Sequence, residues 1–541
     1  MKIRADVLRT YTDVHTWVGI VGGLALFVAF YAGAITMFEE PLRRWASPPV
    51  ALPAAVALER APELIDAVLE RHPEAARAYA VHYRIDPDTP ARVSWEDEAD
   101  VRYGAAFDAH GQLVTARTDE APVAQLIDVL HQQVGLPFEH EISMPIMGVI
   151  ALLYGVALVS GVIVLLPTLV QDLFAWRLGR NLKRLWLDVH NALGVFSLPF
   201  HVVMALTAVV FAFHDGFYAT QNALIYEHRL DSMWGREPSQ AAPDAELLTP
   251  QQLAARMAQQ APGFTPVAVE FRQNPAGVTT ARVIGYDARE MMRAPTYGLA
   301  SLDPYTGRFT DTAYLPGHQP GWEKLVTSFF TLHFGSFGGA PVRWGYFLLG
   351  LAGAFLFYSG NLIWVEARRR RQRRQDGGVL PPQKRSSRVM AALTVGVCLG
   401  CVSGISVTIA AAKWLPGRVQ DLEAAHTYIY YAVFLACTGW ALLRGAARAA
   451  FELLMLSAGA TLLIPATSLA AALFAAAPGW NWPGTARLVD VVAFAGALLF
   501  VALAVRTRRR TLHGDADSVW SLSRPDPSSA PAGARAPHAS V

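Results

Sequence analysis

Apolar residues along this chain gather into runs too long and too unbroken for a soluble core. Trp17 to Phe38 contains no charged residue, and a helix needs only about 20 consecutive apolar residues to cross a bilayer. Further runs at about Met144 to Leu166, Val189 to Phe213, Trp344 to Val365, Val389 to Ala412, Ala424 to Leu443, Leu453 to Ala477 and Leu488 to Val505 predict about eight transmembrane helices. The first run is too long for a signal-peptide core, and Phe38-Glu-Glu-Pro-Leu-Arg-Arg-Trp45 after it offers no small-x-small cleavage site. Two long polar segments between the runs have a different period. Each opens on a helical stretch, Ala61 to Tyr79 and Thr249 to Gln260, and passes into alternating residues with hairpin signals, Phe107-Asp-Ala-His-Gly-Gln-Leu-Val114 and Ser301-Leu-Asp-Pro-Tyr-Thr-Gly-Arg-Phe309. The expected fold class is an all-α polytopic membrane bundle with two α+β modules.

Charge orients this arrangement. Lys2, Arg4 and Arg9 precede the first run, and the short connections carry Arg177, Arg180, Lys183 and Arg184, then Arg368 to Arg371 with Arg373 and Arg374, then Arg444 and Arg448, then Arg506 and Arg508 to Arg510. All fall on one side if both termini are cytoplasmic, which puts both modules outside. The chain then divides into 1–41 (N-terminus and first span), 42–143 (first module), 144–213 (spans two and three), 214–340 (second module), 341–388 (fourth span and a basic loop), 389–505 (spans five to eight) and 506–541 (a cytoplasmic tail, disordered from Gly514). The composition is 53% hydrophobic and 17% charged with a net charge of +2. That makes lipid the surroundings and argues against nucleic acid as a partner. Cys398, Cys401 and Cys437 all lie in apolar runs, so the modules contain no disulfide. Cys398-Leu-Gly-Cys401 has redox spacing but lacks a thioredoxin-like βαβ context.

An internal repeat sharpens the picture. His15-Thr-Trp-Val-Gly19 opens the first run and His190-Asn-Ala-Leu-Gly194 the third, while Leu130-His131 precedes the second and Leu332-His333 the fourth. The unit of span, module, Leu-His and span occurs twice in parallel orientation. Such repeats are related by a pseudo-twofold axis along the membrane normal, so equivalent residues should face each other. Spans five to eight lack the pattern.

Ionisable residues in the first four apolar cores are almost all histidines, and a charge-capable group inside a membrane marks function by default. His190 and His201 are 201 − 190 = 11 positions apart. At about 100° and 1.5 Å per residue, that puts them on one face, offset by about 20° and separated by roughly 16 Å. One helix then offers two ligands at two depths, the logic of a bundle holding two stacked haems. The expected ligands are His15 and His190 for the inner haem and His201 with His333 for the outer, with His131 the alternative partner. A lone intramembrane histidine is more often an interhelical hydrogen bonder; it is the repeat that favours ligation. His140 and His214 read as solvated and His426 as structural. Gly19 and Gly23 form a G-x-x-x-G that reads first as helix packing, while close approach of a porphyrin needs the same absence of a side chain. Zinc or copper would call for a short-range cluster of ligands that these spans lack. No C-x-x-C-H attachment sequence occurs, so haem here would be non-covalent heme b.

With these features the sequence resembles the PepSY-associated transmembrane family, whose members share the duplicated plan and the opening His-x-Trp-x-Gly, present as His15-Thr-Trp-Val-Gly19. The likeness covers about residues 8 to 366, and the third run lacks the tryptophan of the first. The resemblance implies periplasmic α+β PepSY-like modules, membrane-embedded heme b on the paired histidines, and location in a bacterial inner membrane. In one branch of the family it also implies reduction of ferric siderophores. Two haems would carry single electrons outward from quinol or a separate cytoplasmic reductase, because no cytoplasmic loop has room for a flavin or nicotinamide domain. A PepSY-based regulator of a periplasmic protease and a haem-handling protein are the alternatives. A transporter would call for intramembrane carboxylates that the first four spans lack.

Overall fold

The computed structural model describes residues 3–48, 50–86, 89–118, 120–169, 182–225, 227, 246–273, 278–375, 383–473, 487–514 and 518–522. Helix α1 (Ala5–Thr36) leads through a short α2 (Glu39–Ala46) to α3 (Ala61–Arg71), strands β1 (Ala78–His82), β2 (Val93–Glu96), β3 (Arg102–Phe107) and β4 (Leu113–Arg117), and the amphipathic α4 (Val123–Gln132). Helix α5 (His140–Leu165) re-enters the bundle, and α6 (Leu182–Phe196) and α7 (Leu198–Leu224) lead back. The second half repeats the order with α8 (Pro250–Gln260), β5 (Thr265–Gln273), β6 (Thr279–Tyr286), β7 (Gly298–Leu302), β8 (Phe309–Asp311) and α9 (Gly321–Phe334). Helices α10 (Gly339–Gln375), α11 (Arg385–Ala412), α12 (Leu422–Arg444), α13 (Ala446–Leu473) and α14 (Arg487–His513) complete the chain.

Seven of the described helices are long and apolar enough to cross a membrane: α1, α5, α7, α10, α11, α13 and α14. The eighth predicted span, Ala424 to Leu443, is helical within α12 but is not among them; His426, Tyr428, Tyr430, Tyr431 and Trp440 dilute its hydropathy. The third predicted span is not straight. It breaks between α6 and α7, where Pro199 has no N–H to offer the carbonyl four residues back and the Ser197 hydroxyl turns to the Leu193 carbonyl. The tail is not wholly free either: Val519 and Trp520 pack against Leu362, Val395 and Ala449, while 523–541 lie outside the described residues.

The two outer modules, expected as separate bodies, share one eight-stranded antiparallel sheet of order β4-β3-β2-β1-β5-β6-β7-β8. The seam is β1 against β5, with Tyr79 opposite Phe271 and Val81 opposite Val269. Tyr79 and Phe271 stack across it at 4.9 Å. Turn chemistry sets each half: Asp108 caps the amides of His110 and Gln112 ahead of Gly111 (φ 76°), and a Thr249/Gln252 capping box with Pro250 in the first turn starts α8. The predicted helix Ala61 to Tyr79 is shorter, giving way at His72-Pro73 before β1.

Leu64 and Val68 from α3 and Leu253 and Met257 from α8 enter one core with Val81, Val93, Val269 and Val283. Both helices therefore cover the same face of the sheet. Two equivalent strands meeting antiparallel, with their helices on one face, are related by an axis perpendicular to the sheet. The sheet thus caps the repeat axis of the bundle. Beyond the repeat, α11 packs between α12 and α13, and Asp490 of α14 accepts from Trp45 of α2 (3.0 Å) and Ser468 of α13 (2.9 Å), fastening the last helices to the first half.

Because the core is shared, Leu253→Ala should cost about 2–5 kcal/mol and loosen both halves together. Limited proteolysis with mass mapping checks this: cleavage confined to 246–311 would show two independent modules instead.

Candidate functional site

Four of the five predicted histidines form two pairs, each joining equivalent residues of the two repeats. His15 of α1 lies 6.3 Å from His190 of α6 between ring centroids, with the planes at 77°. His131 of α4 lies 5.9 Å from His333 of α9, at 38°. The first pair is at the end of the bundle remote from the sheet and the second at the sheet end.

Each ring is held by its own repeat. His15 Nδ1 lies 2.9 Å from the Ala157 carbonyl of α5, and His131 Nδ1 2.8 Å from the Ala29 carbonyl of α1. A carbonyl only accepts, so both nitrogens carry a proton. His190 Nδ1 meets the Ser359 hydroxyl at 3.1 Å, and that hydroxyl gives its own proton to the Leu356 carbonyl. His333 Nδ1 meets Thr207 Oγ1 at 2.7 Å, and Thr207 donates to the Val203 carbonyl. These hydroxyls therefore accept as well, and all four imidazoles are Nδ1–H tautomers with the Nε2 lone pair free. Burial keeps His333 neutral, pushing its pKa down to about 3, with His131 beside it adding to the effect.

Glycines make the space. A Cβ at Gly33 would lie 2.6 Å from His131 Nδ1, one at Gly161 2.9 Å from the His15 ring, and one at Gly360 3.5 Å from His190. Ser160-Gly161 and Ser359-Gly360 are a matched dipeptide in α5 and α10, a repeat signal that sequence reasoning passed over. One turn on from His15 and His190, a Cβ at Gly19 would meet nothing within 4 Å and one at Gly194 only Leu356 at 3.8 Å. The two glycines leave open space beside the pair.

His201 is the exception. Its expected partner His333 is engaged with His131, because α4 and α9 both tuck beneath the sheet at the axis. His190 and His201 both lie against α10, where a Cβ at Gly360 would be 3.5 Å from His190 and one at Gly353 3.1 Å from His201. His201 is fully buried, 2.6 Å from the Tyr154 hydroxyl through Nδ1 and beside Phe30 and Phe200, and its Nε2 has no hydrogen-bond partner. His140 and His214 are half exposed and face Asp215. His426 is fully buried with neither ring nitrogen hydrogen-bonded, and Cys398, Cys401 and Cys437 are free and buried. Among the described residues no group of three or more His, Cys, Asp or Glu could enclose a metal ion.

A cavity of about 940 Å³ opens beside the sheet-end pair and runs from Leu26 and Tyr154 in the bundle to Tyr286 and Met292 under the sheet. Glu39, Glu40 and Asp128 line one part of it together with Arg43; burial raises the pKa of Glu39 and of Asp128. Arg293 and Arg343 also line the cavity. A profile of the PepSY-associated TM region matches residues 12–367, the two repeats with their histidines. The chain belongs to the PepSY-associated transmembrane family. Membership agrees with the seven apolar helices in making this a multi-pass membrane protein. Comparison with curated proteins gives no match.

Nitrogen-15 spectra of histidine-labelled protein should show Nδ1–H for His15, His131, His190 and His333. Gly33→Ala should disturb His131 alone. A proton on Nε2 of any of the four in the wild type would contradict the hydrogen-bond assignment.

Proposed function

We propose that this protein is an inner-membrane di-haem electron carrier that reduces a ferric siderophore on the periplasmic side and so releases ferrous iron. The observation that carries the reading is the pair of cross-repeat histidine couples with their Nδ1 atoms tied back. With Nδ1 tied back in each ring, His15 with His190 and His131 with His333, at centroid distances of 6.3 and 5.9 Å, are the residues that would hold a haem at each couple. The room beside Gly19 and Gly194, and the cavity beside His131 and His333, fit a flat macrocycle at each couple.

In this reading His15 and His190 hold the inner haem, and His131 and His333 the outer. Haem supplies one-electron redox chemistry when bound. The protein residues set the rest. Ala157, Ser359, Ala29 and Thr207 orient the ligands and raise their basicity through the Nδ1–H bond. His201, Tyr154, Phe30 and Phe200 pack together at the bundle end of the cavity. The cavity gives an external ferric complex a way to approach the outer couple without crossing the membrane. The donor is quinol or a separate cytoplasmic reductase at the far end.

Purified full-length protein should give two haems per chain by pyridine haemochrome. His15→Ala and His190→Ala should each remove the same one, and His131→Ala and His333→Ala the other. His201→Ala should keep both. In vesicles with a reductant inside and ferrioxamine outside, His131→Ala and His333→Ala should abolish reduction. Wild-type protein made with ample haem and lacking any Soret band would sink the reading.

A further inference from the structure

The two repeats differ in the lengths of their connections, and one of the longer ones reaches the cavity. Between β6 and β7 the chain runs through 297 − 286 = 11 residues, whereas the equivalent connection between β2 and β3 has 101 − 96 = 5. The longer connection descends into the cavity carrying Met292 and Arg293. It is tied to the ligand helix, because the buried Thr331 hydroxyl donates to the Met292 carbonyl at 3.0 Å, two residues before His333. The Arg293 guanidinium lies over the Phe330 ring, 3.1 Å from its centroid, one turn before His333. Its Nε is buried without a hydrogen-bond partner. Among the described residues no carboxylate pairs with Arg293; the Tyr314 side chain hydrogen-bonds its guanidinium, and Tyr218 and Tyr297 lie nearby. The half-buried cation thus has only neutral groups around it, and a bidentate carboxylate is the partner that suits a guanidinium best. Arg343 lines the same cavity, also without a carboxylate partner among the described residues.

Resting on the haem reading above, we propose that Arg293 binds a propionate carboxylate of the haem held by His131 and His333. Placed on the β6–β7 connection, Arg293 would fix which edge of the macrocycle faces that connection. A twofold couple of histidines cannot make this choice by itself.

The test uses full-length His15→Ala protein, which leaves one haem site, in detergent. Binding of haem and of haem dimethyl ester, whose propionates carry no charge, is followed by Soret absorbance for Arg293, Arg293→Gln and Arg293→Lys. Arg293→Gln should weaken haem binding about tenfold or more, the worth of one charged hydrogen bond. It should leave the ester unaffected, and Arg293→Lys should recover part of the loss. Equal weakening of both ligands would mean that the arginine only holds the connection in place, and no weakening of either would mean that it does not meet the haem; each overturns the proposal. If neither wild-type nor His15→Ala protein binds haem, the haem reading itself falls and this assignment with it.

Discussion

A carbonyl oxygen can accept a hydrogen bond but never donate one, and the arrangement of the membrane site depends on that. Ala157 and Ala29 fix their histidines directly, while Ser359 and Thr207 do so by surrendering their own protons to helix carbonyls. The ring cannot rotate without losing this hydrogen bond, a loss of about 0.5–1.5 kcal/mol. Each repeat thus sets its own pair of imidazoles rigidly, and the meeting of the repeats brings equivalent rings together. Substituting the two hydroxyl residues for carbonyls in the second repeat preserves the tautomer while shifting the ring, so the couples need only approximate symmetry.

The same axis organises the outside. His15 with His190, His131 with His333, and β1 with β5 are three meetings of equivalent elements, and all must lie close to one line. A sheet that closes over the bundle at this line holds α4 and α9, and with them His131 and His333, at the end of the cavity. The appended helices bear on both halves, on the first through α1, α2 and α4 and on the second through Ala354, Leu362 and Val365 of α10.

Much of this was legible in one dimension. Span length, charge flanks and the Leu-His phrases are local, and they placed the helices and matched the histidines between repeats. What failed was whatever depends on partners distant in sequence or on a small backbone change. Ser197 and Pro199 interrupt the helix between His190 and His201, yet both rings still meet α10, at Gly360 and Gly353. His333 was assigned to His201 by depth alone, although the repeat already made His131 its equivalent. Val81 and Val269 alternate correctly within their own strands, but no pattern in either strand says that the two pair. The seam looks in sequence like two edges.

That seam has a consequence for how the chain is made. Val81 pairs with Val269, 269 − 81 = 188 positions later, so the first half emerges from synthesis with β1 as a bare edge strand. An unpaired edge is a template for any other extended chain, and a closure between such distant segments is slow to form. The first half must therefore wait, folded but unsealed, until two further membrane helices have been inserted and β5 arrives. During that interval the strand most exposed to mispairing is the one on which the symmetry of the finished protein turns, and its strongest rival partner is β1 of another nascent copy.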